Sequence, residues 1–209
     1  DYVTVPSKHM QRYFNIYFNR NFGVIPNGVD LAKFNSNGMK RNLKNIIYVG
    51  RLINEKSVDE LFKLAKLLPN YNFTFVGNGP LYKKIDLPNV LFMGLQKSDK
   101  LSNIYNNSAF SIFPGSTENF PLVGLESMAC GTVVVSNKNG FSEYIDNGVN
   151  GFLLKDSSCE GLYDFFKNNN SIINFDQIQR NGIVTSNEYS WDKISDKYLE
   201  LFNRIKWQQ

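Results

Sequence analysis

The chain has 209 residues, 42% hydrophobic and 20% charged, enough apolar material for one large α/β domain and too much for a disordered chain. Its net charge of +4 is scattered, which suits an anionic small molecule and argues against nucleic acid as a partner. One histidine and two cysteines leave no disulfide framework and almost no zinc chemistry, and no apolar run approaches a membrane span. Tyr2–Val5 and Phe22–Ile25 read as strands flanking a helical stretch, a lone βαβ-like unit. Asn35–Lys44 is polar and reads as a linker. From there, short apolar runs alternate with helical patterns, the signature of a parallel sheet. Strands are predicted at Asn45–Val49, Asn72–Val76, Val90–Met93, Phe110–Phe113, Val133–Ser136 and Phe152–Leu154. Between them, Val58–Leu68 carries Leu61, Leu64, Ala65 and Leu68 at helical spacing, and Pro80 should open a short helix. Ser98 can cap a helix reaching Asn106, Leu122–Cys130 forms another, and a short one surrounds Glu143–Ile145. Asn168–Asn170 reads as a loop, and Ser190 can cap a final amphipathic helix with Ile194, Tyr198, Leu201, Phe202 and Ile205 on its apolar side.

A Rossmann-like parallel sheet of about six strands flanked by helices places ligands at the carboxyl ends of its strands. The familiar nucleotide chemistries are missing there. No Gly-Lys dipeptide exists for a phosphate loop, and Gly77-Asn78-Gly79 lacks the third glycine of a dinucleotide fingerprint. A Gly-x-Ser-x-Gly elbow and an Asp-x-Asp pair are also absent, so hydrolase and metal-chelated nucleotide readings fall.

Three loops remain. After the first main strand, Gly50 is followed by Arg51 and Lys56, two cations where a diphosphate would bring two negative charges. Taken alone, such residues are more often a surface pair with Glu55 or Asp59. After the fourth strand, Glu118, Asn119, Phe120, Pro121 and Leu122 lead into a helix containing Glu126. Pro121 suits the first helical position, so free N–H groups there form an anion site. Two carboxylates beside a phosphate should accept hydrogen bonds from hydroxyl groups, which a sugar nucleotide offers on both ribose and sugar. The plain alternative makes Glu118 a helix-dipole partner and Glu126 a solvated helix residue. The third loop, Gly77–Pro80, would let backbone approach a ligand closely.

These elements come in a telling order: Asn27-Gly28-Val29-Asp30, Val49-Gly50-Arg51-Leu52 with Glu55-Lys56, Gly77-Asn78-Gly79-Pro80, then Glu118-x-Phe120-Pro121 with Glu126 and Ala129-x-Gly131, and Glu143-x-Ile145 with Asn150-Gly151. The series resembles the C-terminal, donor-binding half of the retaining glycosyltransferases of family four (group 1), which have the two-domain GT-B fold. The resemblance implies transfer of a glycosyl unit from a nucleoside-diphosphate sugar to an acceptor hydroxyl, without a metal or other cofactor. It implies that Arg51 and Lys56 hold the diphosphate and Glu126 the ribose, with Glu118 beside the transferred sugar. Backbone from Asn119 to Leu122 would contact that sugar or the phosphate, Gly50 and Asn78 would approach the donor, and Gly94-Leu95-Gln96 would lie against the base. Glu118, Arg51 and Lys56 are the expected catalytic group.

There are departures from the pattern. Ser57 stands where glycine usually follows the lysine, and Asn119 where glycine often precedes Phe-Pro. The acceptor-binding domain is missing, so residues 1–35 are expected to be its remnant and linker, 36–175 the nucleotide-sugar domain, and 176–209 a C-terminal helical segment. Residue 1 is Asp, and the chain alone is expected to bind donor without useful transfer. The other reading is a non-catalytic module acting with a separate partner chain. The expected location is the cytoplasm, with peripheral membrane association left open for a full-length enzyme. His9 is assigned no role, and Cys130 reads as a small core residue.

Overall fold

The computed structural model describes residues 2–18, 20–168 and 174–206. In chain order the elements are β1 (Thr4–Val5), α1 (Lys8–Tyr17), β2 (Gly23–Val24), β3 (Asn45–Val49), α2 (Val58–Leu67), β4 (Asn72–Val76), β5 (Val90–Gly94), α3 (Ser98–Asn106), β6 (Phe110–Phe113), α4 (Leu122–Ala129), β7 (Val133–Asn137), β8 (Phe152–Leu154), α5 (Cys159–Asn168), α6 (Phe175–Glu188) and α7 (Trp191–Lys206). Two 3-10 turns, Asn54–Lys56 and Gly140–Glu143, follow β3 and β7.

Strands β3 to β8 form one parallel sheet in the order β5-β4-β3-β6-β7-β8. All six lie at the predicted positions, and for the central strands the reason is burial on both faces. Every residue of β6, and four of the five in β3 and β7, are buried, so these strands appear as unbroken apolar runs rather than alternating ones. Helix α2 buries Val58, Leu61, Phe62, Leu64 and Ala65, a stripe at 3.6-residue spacing, and packs against α5. Leu61 and Leu64 are fully buried, and truncating either to Ala costs about 2–5 kcal/mol. On the other side α4 packs against α6 and β7.

Sheet order reverses beside β3. The chain runs outward through β4 and β5, then returns to pair β6 on the other side of β3, with Ile46 opposite Phe110 and Ile47 opposite Ser111. Such a reversal opens a crevice at the carboxyl ends of the two strands.

The predicted βαβ-like unit is also present. Strands β1 and β2 pair in parallel across α1, and α7 runs back to them. Val29 accepts from Trp191 N–H (3.2 Å) and donates to the Tyr189 carbonyl (2.8 Å), fastening the return connection. Ser190 Oγ accepts from Lys193 N–H at 3.4 Å, as its capping role requires. Within α7, Ile194 is buried and Phe202 is 53% exposed, so only part of its apolar side is covered.

Five local expectations need correction. Pro121 has ψ 112°, so it caps α4 from outside and the helix starts at Leu122. Lys97 holds the extended cap position of α3, which places Ser98 inside the helix. Pro80 opens only a turn, and the helix near Glu143 is the 3-10 turn just before the predicted centre. The linker is not free of the core, since Arg41 Nη2 donates to the Cys130 carbonyl and to Asn106 Oδ1 (3.4 Å). Asp1, Asn169 and Asn170 lie outside the described residues.

Candidate functional site

The crevice between β3 and β6 holds a cavity of about 320 Å³. Gly50, Arg51 and Lys56 form one wall, Glu118, Pro121 and Leu122 the other, with Tyr48 and Phe113 between them. Its geometry starts with close backbone packing. Gly50 N–H donates to the Val76 carbonyl at 3.0 Å, and a Cβ on Gly77 would overlap the Gly50 carbonyl oxygen. Both glycines have positive φ, 154° and 137°, so neither position accepts a side chain without strain.

Arg51 leaves β3 into solvent, and among the described residues its guanidinium makes no hydrogen bond or ion pair. Lys56 ends the 3-10 turn and is followed by Ser57 in the left-handed region (φ 51°, ψ 38°). The backbone path that a glycine would supply is therefore kept by a serine. Lys56 Nζ donates to Glu118 Oε1 at 2.5 Å and to the Thr117 carbonyl at 3.1 Å. The partner of Lys56 is thus across the cavity, not Glu55 or Asp59.

Loop 114–121 is held from outside the cavity. Asn137 and Asn139 side chains donate to the Pro114 (2.9 Å) and Gly115 (2.7 Å) carbonyls. Gly140 N–H donates to the Glu118 carbonyl (2.8 Å), and the Tyr144 hydroxyl to that of Pro121 (2.6 Å). Beyond the loop, α4 has no side-chain cap bond and no acidic residue in its first turn, so its positive end faces the cavity uncompensated.

A second cavity of about 440 Å³ adjoins the first, sharing Val49, Gly50 and Arg51 and adding Val76, Gly77, Asn78, Leu95 and Gln96. Leu95 is 75% exposed at its edge, while Gln96 Nε2 is bound to the Met93 carbonyl at 2.5 Å. Of the expected residues, six therefore meet in one cavity, and Asn78 and Leu95 stand in the next. Three line neither. Asn119 is exposed, and the Phe120 ring turns inward against Tyr144 and Tyr189, so only its backbone belongs to the loop.

Glu126 is the third. It is partly buried, burial pushes its carboxyl up to about 7, and among the described residues its carboxylate has no hydrogen-bond or ion-pair partner. That is unlike a solvated surface glutamate. A residue that sequence reasoning missed is Tyr48. It reads as strand core, yet its hydroxyl donates to the Arg51 carbonyl at 2.8 Å and its ring lines the cavity. Burial, with Glu118 nearby, raises its pKa.

A larger cavity, about 720 Å³, lies between residues 39–43 and the start of α6. It sits at the amino ends of the strands, away from the crevice where parallel sheets take ligands. Among the described residues no group of three His, Cys, Asp or Glu could hold a metal ion, and no helix is long and apolar enough to cross a membrane.

Residues 30–168 match the family described as glycosyl transferases group 1. An uncharacterised glycosyltransferase of Methanocaldococcus jannaschii is 27% identical over 216 aligned residues, covering 87% of this chain and 60% of the relative. Sucrose-phosphate synthase from Thermosynechococcus elongatus has the same fold, with TM-score 0.86 at 20% identity over 100% of this chain and 59% of that one. HepE of Anabaena, solved in complex with UDP and glucose, superposes with TM-score 0.83 at 20% identity over 97% of this chain and 62% of its own. The chain spans about three fifths of the length of these proteins.

Proposed function

The chain belongs to the glycosyl transferases of group 1, and from that premise we propose that it holds a nucleoside-diphosphate sugar in the crevice between β3 and β6. With an acceptor-binding half, it would pass the glycosyl unit to an acceptor hydroxyl with retention of configuration. The observation that carries this reading is the convergence of Arg51, Lys56 and the uncapped start of α4 on one cavity facing Glu118. Two cations and a helix N-terminus match the charge of a diphosphate, and of the two cations only Lys56 has a partner among the described residues, Glu118 across the cavity.

The pairing of Lys56 with Glu118 adds a step. When the diphosphate enters, Lys56 exchanges a carboxylate for a phosphate oxygen, which frees Glu118 to accept from a hydroxyl of the transferred sugar. As the sugar–phosphate bond breaks, charge grows on the departing diphosphate, where Arg51, Lys56 and the α4 amides are already aimed. Glu126, one turn beyond those amides, is assigned to the ribose. Its two oxygens can accept from both hydroxyls of a cis-diol. The adjoining cavity, bounded by Asn78, Leu95 and Gln96, is assigned to the base. The complex of HepE with UDP and glucose supports uridine diphosphate as the first ligand to try. Two free, buried cysteines, Cys130 and Cys159, support the reducing cytoplasm as its location.

Calorimetry with UDP and with uridine tests the reading. UDP is expected to bind at least tenfold tighter, because only the diphosphate meets the charged wall. Equal affinity for the two would overturn the assignment.

A further inference from the structure

The start of α1 and the rim of the crevice are joined by one side chain. Lys8 N–H donates to Glu143 Oε2 at 3.1 Å and His9 N–H to Glu143 Oε1 at 2.9 Å, across more than 130 residues of chain. Ser7 Oγ takes the next amide, that of Met10, at 3.1 Å. Helix α1 has no acidic residue in its own first turn, so Glu143 is the anion that complements its positive end. Ser7 is buried, and it leaves two of the first three amides to be satisfied by this distant carboxylate.

Glu143 does not stand alone on its side. It closes the 3-10 turn Gly140–Glu143, whose first amide donates to the Glu118 carbonyl at 2.8 Å. Asn139, which caps that turn through Phe141 N–H (3.0 Å), also donates to the Gly115 carbonyl. The Glu143 carbonyl accepts from the Tyr189 hydroxyl at 3.4 Å, and the Tyr189 ring packs on Phe120. Tyr189 is also the residue whose carbonyl takes Val29 N–H, where the segment after β2 bridges to the connection between α6 and α7. A single turn of backbone thus runs from the first amides of α1 to the peptide that carries Glu118.

We propose that Glu143 is a positioning residue that couples the β1–α1–β2 unit to the Glu118 loop. Its carboxylate seats α1, and the rigid 3-10 turn behind it sets where the Glu118 peptide stands. Moving α1 away from the crevice breaks two charge-assisted hydrogen bonds and releases the turn that supports the loop. The orientation of the N-terminal unit is thereby read by the residue placed beside the transferred sugar. This inference rests on the donor-site reading for its purpose, though not for its geometry.

Amide exchange and backbone NMR on this chain, without ligand, decide it. Glu143→Gln keeps the size but sets an amide N–H₂ or a single neutral oxygen against two donors. It is expected to speed exchange at Lys8 and His9 at least tenfold and to shift the backbone resonances of residues 116–120, leaving β3 and β4 unchanged. Ser7→Ala should speed only the first turn of α1. Glu143→Asp retains the charge and should restore part of the protection, and it serves if the glutamine variant does not fold. If loosened α1 amides come with unmoved resonances at 116–120, Glu143 is only a cap and the proposal fails. Unchanged α1 amides would also overturn it. A separate titration with UDP keeps the two readings apart: failure to bind counts against the donor site alone.

Discussion

Two arginines bracket β3 and behave as opposites. Arg41, before the strand, is buried, donates to the Cys130 carbonyl across the sheet, and has its pKa lowered by desolvation. Arg51, after the strand, is exposed and lines the cavity. The residue type is the same and the positions are ten apart. What differs is the end of a parallel sheet that each one occupies. At the amino ends the polar side chains are already engaged, with Gln179 also donating to the Gly131 carbonyl at 2.8 Å, while at the carboxyl ends the Arg51 guanidinium and the start of α4 have no side-chain partner among the described residues. Stability is spent at one end and held in reserve for a ligand at the other.

Substitutions at the two ends should therefore separate folding from binding. Arg41→Ala strands the Cys130 carbonyl and removes a buried stem, so denaturant melts should show a loss of about 2–4 kcal/mol with UDP affinity unchanged in the folded fraction. A loss of affinity as large as that of stability would break the comparison.

Glu126→Gln should act in the reverse sense. The folded carboxyl titrates at about 7 against an ordinary value of 4.5, so the native state binds the proton more tightly than the unfolded one. Its contribution is most favourable below pH 4.5 and is lost as pH rises through 7. The glutamine variant should match the parent in acid and exceed it by on the order of 2–3 kcal/mol above pH 7, measured by melts across that range. Nucleotide affinity should fall roughly tenfold or more, and Glu126→Ala should fall further. A variant that is more stable and binds as well as the parent would leave Glu126 without a ligand role.

Arg51→Ala should leave the melting curve within about 0.5 kcal/mol of the parent, as an exposed and unpaired side chain does. Its effect belongs to calorimetry: UDP should weaken about tenfold and uridine hardly at all. The smallest effect is expected at Ser57→Gly, which relieves a left-handed backbone and should stabilise by about 0.5–1 kcal/mol at most, with binding retained.

The central strands β3, β6 and β7 were legible because doubly buried strands announce themselves as apolar runs closed by glycine or a polar loop, and β4, β5 and β8 because short apolar runs alternate with helical patterns. The charged wall was legible too, since Arg51 and Lys56 follow a strand end directly. Partnerships across the fold were not. Lys56 and Glu118 are separated by 62 positions and Glu143 and Lys8 by 135, and no local period carries such a pairing. Tyr48 was hidden for another reason: an aromatic residue inside a strand looks the same whether its hydroxyl ends in packing or at a cavity. Ser98 and Pro121 show the remaining limit, since good capping chemistry does not fix which residue takes the extended conformation.

The paired glycines at the ends of β3 and β4 have a consequence for how such a site can change over time. Where Gly50 and Gly77 meet, neither residue adds a side chain to the surface; a Cβ on Gly77 would collide with the Gly50 carbonyl and one on Gly50 would crowd the Tyr48 hydroxyl. Point substitution cannot retune that ledge. A lineage altering its ligand must do so through the side chains around that ledge, Arg51, Lys56 and residues 118–122, or by lengthening the loops. The glycine ledge is thus a fixed reference, and the side chains around it are where variation can accumulate.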